Sequence, residues 1–289
     1  MNSVFVFCLE NYTMAALTDK LLVLGREGDE ENPGKVFVNN FKSSDSNKDW
    51  TVDLPEGEYV QGVAAGDGWV AASTSRNYLR MFTAWGIQRE VVSLSGPLVS
   101  MVGSGDKLFI VTHSAHPLPN QQNFSYYTLV INNKKGLSKV TGPLNLPLTP
   151  TCELYWVGLS DTELPVTTDT AGVVRILLSS AWYPVCDTKT QIKGKSDTFF
   201  VTCVDQLDNQ VRGIKCRGSR YPQTIPKPSP SSFPLEVPLC ITGDRGGLEQ
   251  RLICSNLMKP VVGSNEELDY KNRGQELECL MKLFAMACR

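Results

Sequence analysis

One pattern constrains this chain more than any other: a strand, a Gly/Asp turn, an apolar strand and an aromatic-rich strand recur in that order. Tyr59–Ala65 runs into the turn Gly66-Asp67-Gly68, and Trp69–Ala72, Tyr78–Phe82 and Arg89–Leu94 follow. Leu98–Val102 then meets Gly103-Ser104-Gly105-Asp106, with Leu108–Thr112 and Tyr126–Ile131 behind it. A third round comprises Leu154–Leu159, Val166–Thr168, Val173–Leu178 and Trp182–Cys186. A fourth comprises Thr198–Val204 and Gln210–Cys216. The rounds begin about 40 to 55 residues apart, the period of four-stranded propeller blades. Blades bury both faces against their neighbours, so their inner strands can be apolar throughout. The pattern favours a β-propeller; a β-sandwich with long loops is the alternative.

The ends extend the pattern. Lys35–Phe41 and Trp50–Leu54 read as strands before the first full round, and Phe233–Cys240 as a strand after the last. Pairing these end segments would remove the open edges of the ring. The apolar start, Met1–Leu9, has no basic flank and reads as a strand rather than a signal peptide.

After Ile241 the periodicity changes. Leu248, Leu252, Ile253 and Leu257 have helical spacing, and Pro260 is expected to end that run. Leu277, Leu280, Met281, Phe284 and Cys288 mark a second helix. Cys279, Leu283 and Met286 make it apolar on nearly every side, so it is expected to be buried in a bundle whose other helices are missing. The expected division is a propeller over 1–241 and a truncated helical domain over 242–289.

Composition removes several function classes. Lys and Arg number 28 against 30 Asp and Glu, for a formal net charge of -2, so the chain is not a generally basic nucleic-acid binder. No apolar run approaches the roughly 20 residues of a membrane helix. The nine cysteines are scattered, with no Cys-x-x-Cys pair, and read as reduced core thiols of an intracellular protein.

Catalytic constellations are not found. The two histidines, His113 and His116, lie at a strand end entering a loop, with no Cys, Asp or Glu close by in sequence to complete a metal site. Gly194-Lys195-Ser196 lacks the earlier glycine of a phosphate loop, because position 189 is Lys189, and a strand follows it rather than a helix. The reading is of no enzyme, no catalytic or metal residue, no cofactor and no small-molecule substrate.

One charged cluster stands out. Lys189, Lys193, Lys195, Arg212, Lys215, Arg217, Arg220 and Lys227 fall within about forty residues, beside Tyr221 and a Pro-rich stretch. Lys193, Lys195, Arg217, Arg220 and Lys227 form a speculative basic binding patch for phosphate or an acidic partner. The alternative is a solvated face and a rigid linker leaving the propeller.

Many blocks of the chain resemble a known family in order. They include Asp49–Glu58, Gly68–Ser75, Leu79–Thr83, Gln88–Met101, Gly172–Arg175, Trp182–Thr188, Lys193–Asp197, Cys216–Pro222 and Gln275–Leu283. These are similar to the SepB propeller of the WD-repeat and HMG-box DNA-binding proteins, a family that includes the fungal chromosome-transmission-fidelity replication hub. The resemblance implies a six-bladed propeller that forms a homotrimer, followed by a helical bundle that receives short client peptides. It implies a nuclear, non-enzymatic scaffold linking the replicative helicase, through GINS, to DNA polymerase alpha. DNA or chromatin contact is expected mainly through regions missing here, such as the HMG box. The rival function is direct nucleic-acid binding by the 189–227 cluster.

Overall fold

In two strands, Trp69–Thr74 and Pro165–Asp169, every side chain is buried. A strand in a two-layer sandwich alternates between a covered and a solvated face. Continuous burial therefore means a sheet covered on both faces, as in a propeller. The computed structural model describes residues 11–41, 49–116, 122–132, 134–192, 194, 196–225, 227–241, 243–262 and 266–287, and over 258–272 the backbone alone. The expected strand over Met1–Leu9 lies outside these residues.

The chain forms two compact units, Met1–Pro147 and Leu148–Arg289. The first holds three sheets of four antiparallel strands. These are β1 (Met14–Leu17) to β4 (Asp49–Asp53), with β2 (Leu21–Arg26) and β3 (Lys35–Asn40) between; β5 (Val60–Ala65) to β8 (Gln88–Ser93), with β6 (Trp69–Thr74) and β7 (Tyr78–Thr83); and β9 (Leu98–Ser104) to β12 (Gly136–Asn145), with β10 (Lys107–His113) and β11 (Phe124–Asn132). Each is an up-and-down meander in chain order, the blade expected from the repeat. The middle sheet shows the stacking. On β6, Val70 and Ala72 join the core shared with Val23, Val36 and Val38 of the first sheet. The alternate residues, Trp69 and Ala71, join the core shared with Leu108, Ile110 and Leu129 of the third. The period-2 alternation of a strand is thus used on both faces.

Turn residues fix how closely the blades approach. Gly68 and Gly105 close their hairpins with φ of 80° and 51°, the left-handed region that glycine enters without strain. Trp69 lies against Gly66 and Gly103, where an added Cβ would meet the indole at 2.4 and 2.5 Å, and Trp69 Nε1 donates to the Gly105 carbonyl at 2.9 Å. These glycine pairs form turns between strands, as the sequence suggested, and the fold packs them around Trp69.

The second unit holds a four-stranded sheet, β13 (Leu154–Leu159), β14 (Pro165–Asp169), β15 (Val173–Leu178) and β16 (Ala181–Asp187), and a three-stranded one, β17 (Thr198–Asp205), β18 (Gln210–Cys216) and β19 (Pro230–Pro234). They share a core of Val166, Val174, Ile176, Phe199, Val201 and Val211. Three expectations change. The last strand is Pro230–Pro234, not Phe233–Cys240; a proline cannot donate to a ladder, so this strand occupies the sheet edge beside β18, and part of the supposed linker is blade. The end segments are engaged locally: β3 and β4 complete the first sheet, and β19 pairs with β18. The first helix, α1 (Gly243–Val262), continues two residues past Pro260, which removes only one backbone bond from its last turn.

Leu257, Ile253 and Cys254 of α1 pack on the core of the second unit. Gln250 fixes the helix to the chain after β19: its Oε1 accepts from Val237 N at 2.9 Å, and its Nε2 donates to the Leu235 carbonyl at 2.8 Å. On α2 (Glu266–Ala287), Cys279 is buried, but Leu277, Leu280, Met281 and Phe284 are exposed. The expected burial of this helix is not provided by the described residues. Seven described cysteines are unpaired, and Cys240 is exposed rather than a core thiol.

Candidate functional site

Each unit is braced by a buried ion pair whose arginine stands at the same place in a blade. Arg80 is the third residue of β7, itself the third strand of its sheet; Arg175 is the third residue of β15, also a third strand. Arg80 Nε and Nη2 donate to the two Glu58 carboxylate oxygens at 2.7 and 2.6 Å. The Arg80 guanidinium holds the Glu58 carboxyl below the usual carboxylate range, against the effect of burial. Arg175 Nη1 donates to Asp169 Oδ2 at 2.6 Å, and Thr149, Ala171 and Val173 donate backbone N–H groups to the same carboxylate. Burial pushes Asp169 up, and the hydrogen bonds from Thr149 and Arg175 outweigh it, so the carboxyl ends below its ordinary range. Each acid is neutralised by an arginine of its own chain, and Asp169 takes three backbone N–H groups as well, which makes both structural braces.

The braced end of the second unit opens into a cavity of about 460 Å³ between its two sheets. Its floor is the end of β14, Thr168-Asp169, and the turn through Gly172. One wall is the 3-10 turn Thr188–Gln191 with Ile192. That turn starts because Asp187 Oδ1 accepts from Lys189 N at 2.9 Å. The other wall is Tyr155 of β13, the start of β17, and the loop Gly218-Ser219-Arg220. Thr198 Oγ1 donates to the Ser219 carbonyl at 2.7 Å, and Gly218 N donates to Asp197 Oδ1 at 3.2 Å, so the loop is tied down at both ends.

An aromatic group stands beside this loop. Tyr155 and Tyr221 stack with centroids 6.4 Å apart and planes 17° apart, and Phe200 meets both edge-on. The Arg220 guanidinium lies 5.3 Å from the Tyr155 centroid and 5.8 Å from that of Tyr221. The Tyr155 hydroxyl donates to the Arg220 carbonyl. Burial pushes the Tyr155 hydroxyl up, so it stays a donor at neutral pH.

The sequence cluster is thereby divided. Lys193 and Lys195 lie outside the described residues. Arg217 and Lys227 are exposed, and neither lines the cavity; Arg220 does. Arg212 is paired with Asp205 and Asp208, and Lys215 lies 5.0 Å over the Phe233 ring. Lys189 lines the cavity along with Arg220. Sequence reasoning missed Tyr155, Thr168 and Asp197, which come from separate strands and loops. Among the described residues no three His, Cys, Asp or Glu side chains converge as a metal-ligand set, and His113 packs its ring on Phe124.

Three relatives place this geometry in context. Residues 4–239 match the family model described as minichromosome loss protein, Mcl1, middle region. The human WD repeat and HMG-box DNA-binding protein 1 is 36% identical over 96% of this chain and 26% of its own length. Its Xenopus laevis counterpart is 35% identical over the same shares. The Arabidopsis thaliana protein ENHANCER OF LHP1 1 is 34% identical over 85% of this chain. The chain thus spans about a quarter of the length of the relatives it matches.

Proposed function

The chain belongs to the family of the middle region of minichromosome loss protein Mcl1, and from that membership we propose that it is a nuclear, non-enzymatic scaffold of the DNA replication machinery. The observation that carries this is the match to Mcl1 and to the HMG-box relatives along nearly the whole chain. In this reading residues 1–241 form a SepB-type propeller of six blades, and 242–289 begin a helical domain.

The scaffold is a homotrimer that links helicase components, through GINS, to DNA polymerase alpha. The exposed apolar residues of the outer strands support an assembly surface: Val91 on β8, and Val140 and Leu144 on β12. Immunoprecipitation of the chain from replicating cells is expected to recover DNA polymerase alpha and GINS. Recovery of neither from a chromatin extract would overturn the reading.

A further inference from the structure

Serine or threonine precedes proline at two places in the chain, Thr149-Pro150 and Ser229-Pro230. The fold separates them. Thr149 is held in the brace of the second unit: its N–H donates to Asp169, and its Oγ1 accepts from Arg175 Nη2 at 2.7 Å. Ser229 is exposed and stands one residue before β19, at the end of a segment, 222–229, with no regular secondary structure. Among the described residues of that segment no backbone hydrogen bond is formed.

The ladder beside Ser229 is unfinished. β18 runs on to Cys216, but its pairing with β19 stops at Ile214 opposite Pro230, so Lys215 and Cys216 have no partner on that edge among the described residues. Alternate residues of an antiparallel strand direct their N–H groups to the same neighbour. Pro230 and Pro234 are paired with β18 yet have no N–H to give, so the donors to β18 are the alternate residues, Ser231 and Phe233. Ser229 belongs to that alternate set, and Pro228 to the outward one. Continuing β19 to Ser229, opposite Lys215, therefore loses no hydrogen bond to proline. The side chains alternate in the same way. Lys215 Nζ lies 5.0 Å from the Phe233 ring centroid, so it shares the face of Phe233. Ser229 in register joins that face, with the exposed Arg217 as its diagonal neighbour. Neither cation is ion-paired among the described residues.

We propose that Ser229 is a phosphorylation site for a proline-directed protein kinase, and that the phosphate extends β19 along the open end of β18. The kinase moves the γ-phosphoryl group of ATP to Ser229 Oγ; the bond to the β-phosphate breaks, ADP leaves, and the serine proton passes to the base of the kinase. Access is available because β19 is an edge strand in which only Phe233 is buried, and release of residues 230–232 leaves that anchor in place. The phosphate brings a charge of about −1.5 to −2 and strong acceptor oxygens. Lys215 and Arg217 meet it, and the Ser229 N–H then donates to the Lys215 carbonyl. The proposal does not rest on the scaffold reading, and its failure would leave that reading in place.

The test treats the full chain with a recombinant mitogen-activated protein kinase and ATP, and maps the phosphate by peptide mass spectrometry. Ser229 should be modified and Thr149 spared while the chain is folded. Ser229→Ala should abolish incorporation. Pro230→Ala should slow it at least about tenfold, because the alanine N–H is left without a partner in a pocket shaped for proline. Deuterium exchange then reads the strand. The Ser229 amide should exchange at least about tenfold more slowly in the phosphorylated chain, the least that a charge-assisted contact is worth. Lys215→Ala with Arg217→Ala should keep the phosphorylation and lose the slowing. No incorporation, incorporation at Thr149 in place of Ser229, an unchanged rate in Pro230→Ala, unchanged exchange at Ser229 on phosphorylation, or slowing that survives the double substitution would each overturn the proposal.

Discussion

Replacing Glu58 by Gln should destabilise the first unit severely, although the change is one atom in size. Glu58 is 2% exposed and Arg80 13%, and two charge-assisted hydrogen bonds join them. The amide keeps the volume but leaves the guanidinium buried without its counter-charge. Breaking such a buried pair from one side costs about 3–5 kcal/mol, against a net stability of about 5–15 kcal/mol for an ordinary domain. For a unit of about 150 residues, each 1 kcal/mol moves the midpoint by roughly 2–4 °C, so a fall of about 6–20 °C follows. Urea unfolding followed by tryptophan fluorescence reports it, because Trp50 and Trp69 are both packed within this unit. The pH dependence has a defined sign. The folded Glu58 carboxyl titrates below its unfolded value, so the pair's contribution is fully present above about pH 4.3 and is lost as pH falls through the folded value. The gap between wild type and Glu58→Gln should therefore narrow in acid. A cost under about 1 kcal/mol, the value of a solvent-exposed pair, would refute the reasoning.

Two more predictions concern packing and reactivity. Gly66→Ala would place a Cβ 2.4 Å from the Trp69 ring and 2.5 Å from the Gly105 carbonyl, and overpacking of this kind costs about 1–3 kcal/mol in the same urea assay. A variant as stable as wild type would mean that the first and second turns are not held together around Trp69. Burial pushes the Cys186 thiol up to about 12, whereas Cys240 is exposed. Iodoacetamide at pH 8 followed by peptide mass spectrometry should label Cys240 in the native chain and Cys186 only in denaturant; early labelling of Cys186 would contradict the burial.

The strands legible in the sequence were those with something to bury. β6 and β10 sit between neighbouring sheets and carry continuous apolar runs, and in β7 and β15 a single arginine breaks the run. β12 was missed because it is an outer strand: Gly136–Asn145 exposes most of its side chains and includes Gly142 and Pro143, so neither apolar run nor alternation marks it. β19 was displaced because its two prolines suggest a linker until a sheet edge is available to hold them. The helical spacing of Leu277, Leu280, Met281 and Phe284 located α2 correctly, but periodicity reports a face and not what covers it.

The candidate site was only half visible. Charge density drew attention to Arg220 and Lys189, because charges are countable along a sequence. Their neighbours were hidden, since Tyr155, Thr168 and Asp197 meet them only through the pairing of β13 with β14 and the packing of β17 against β13. Nor can a sequence show which charges are already neutralised. Arg212, Arg175 and Arg220 look alike in the chain, and only the fold reveals that they are paired with Asp205, Asp169 and Glu153.

The central claim, a self-assembling scaffold, is tested most directly by sedimentation equilibrium of the purified chain at micromolar concentration. The account predicts a species of three times the 31.9 kDa chain mass that dissociates only on dilution. A folded chain that sediments at the single-chain mass at every concentration would contradict it.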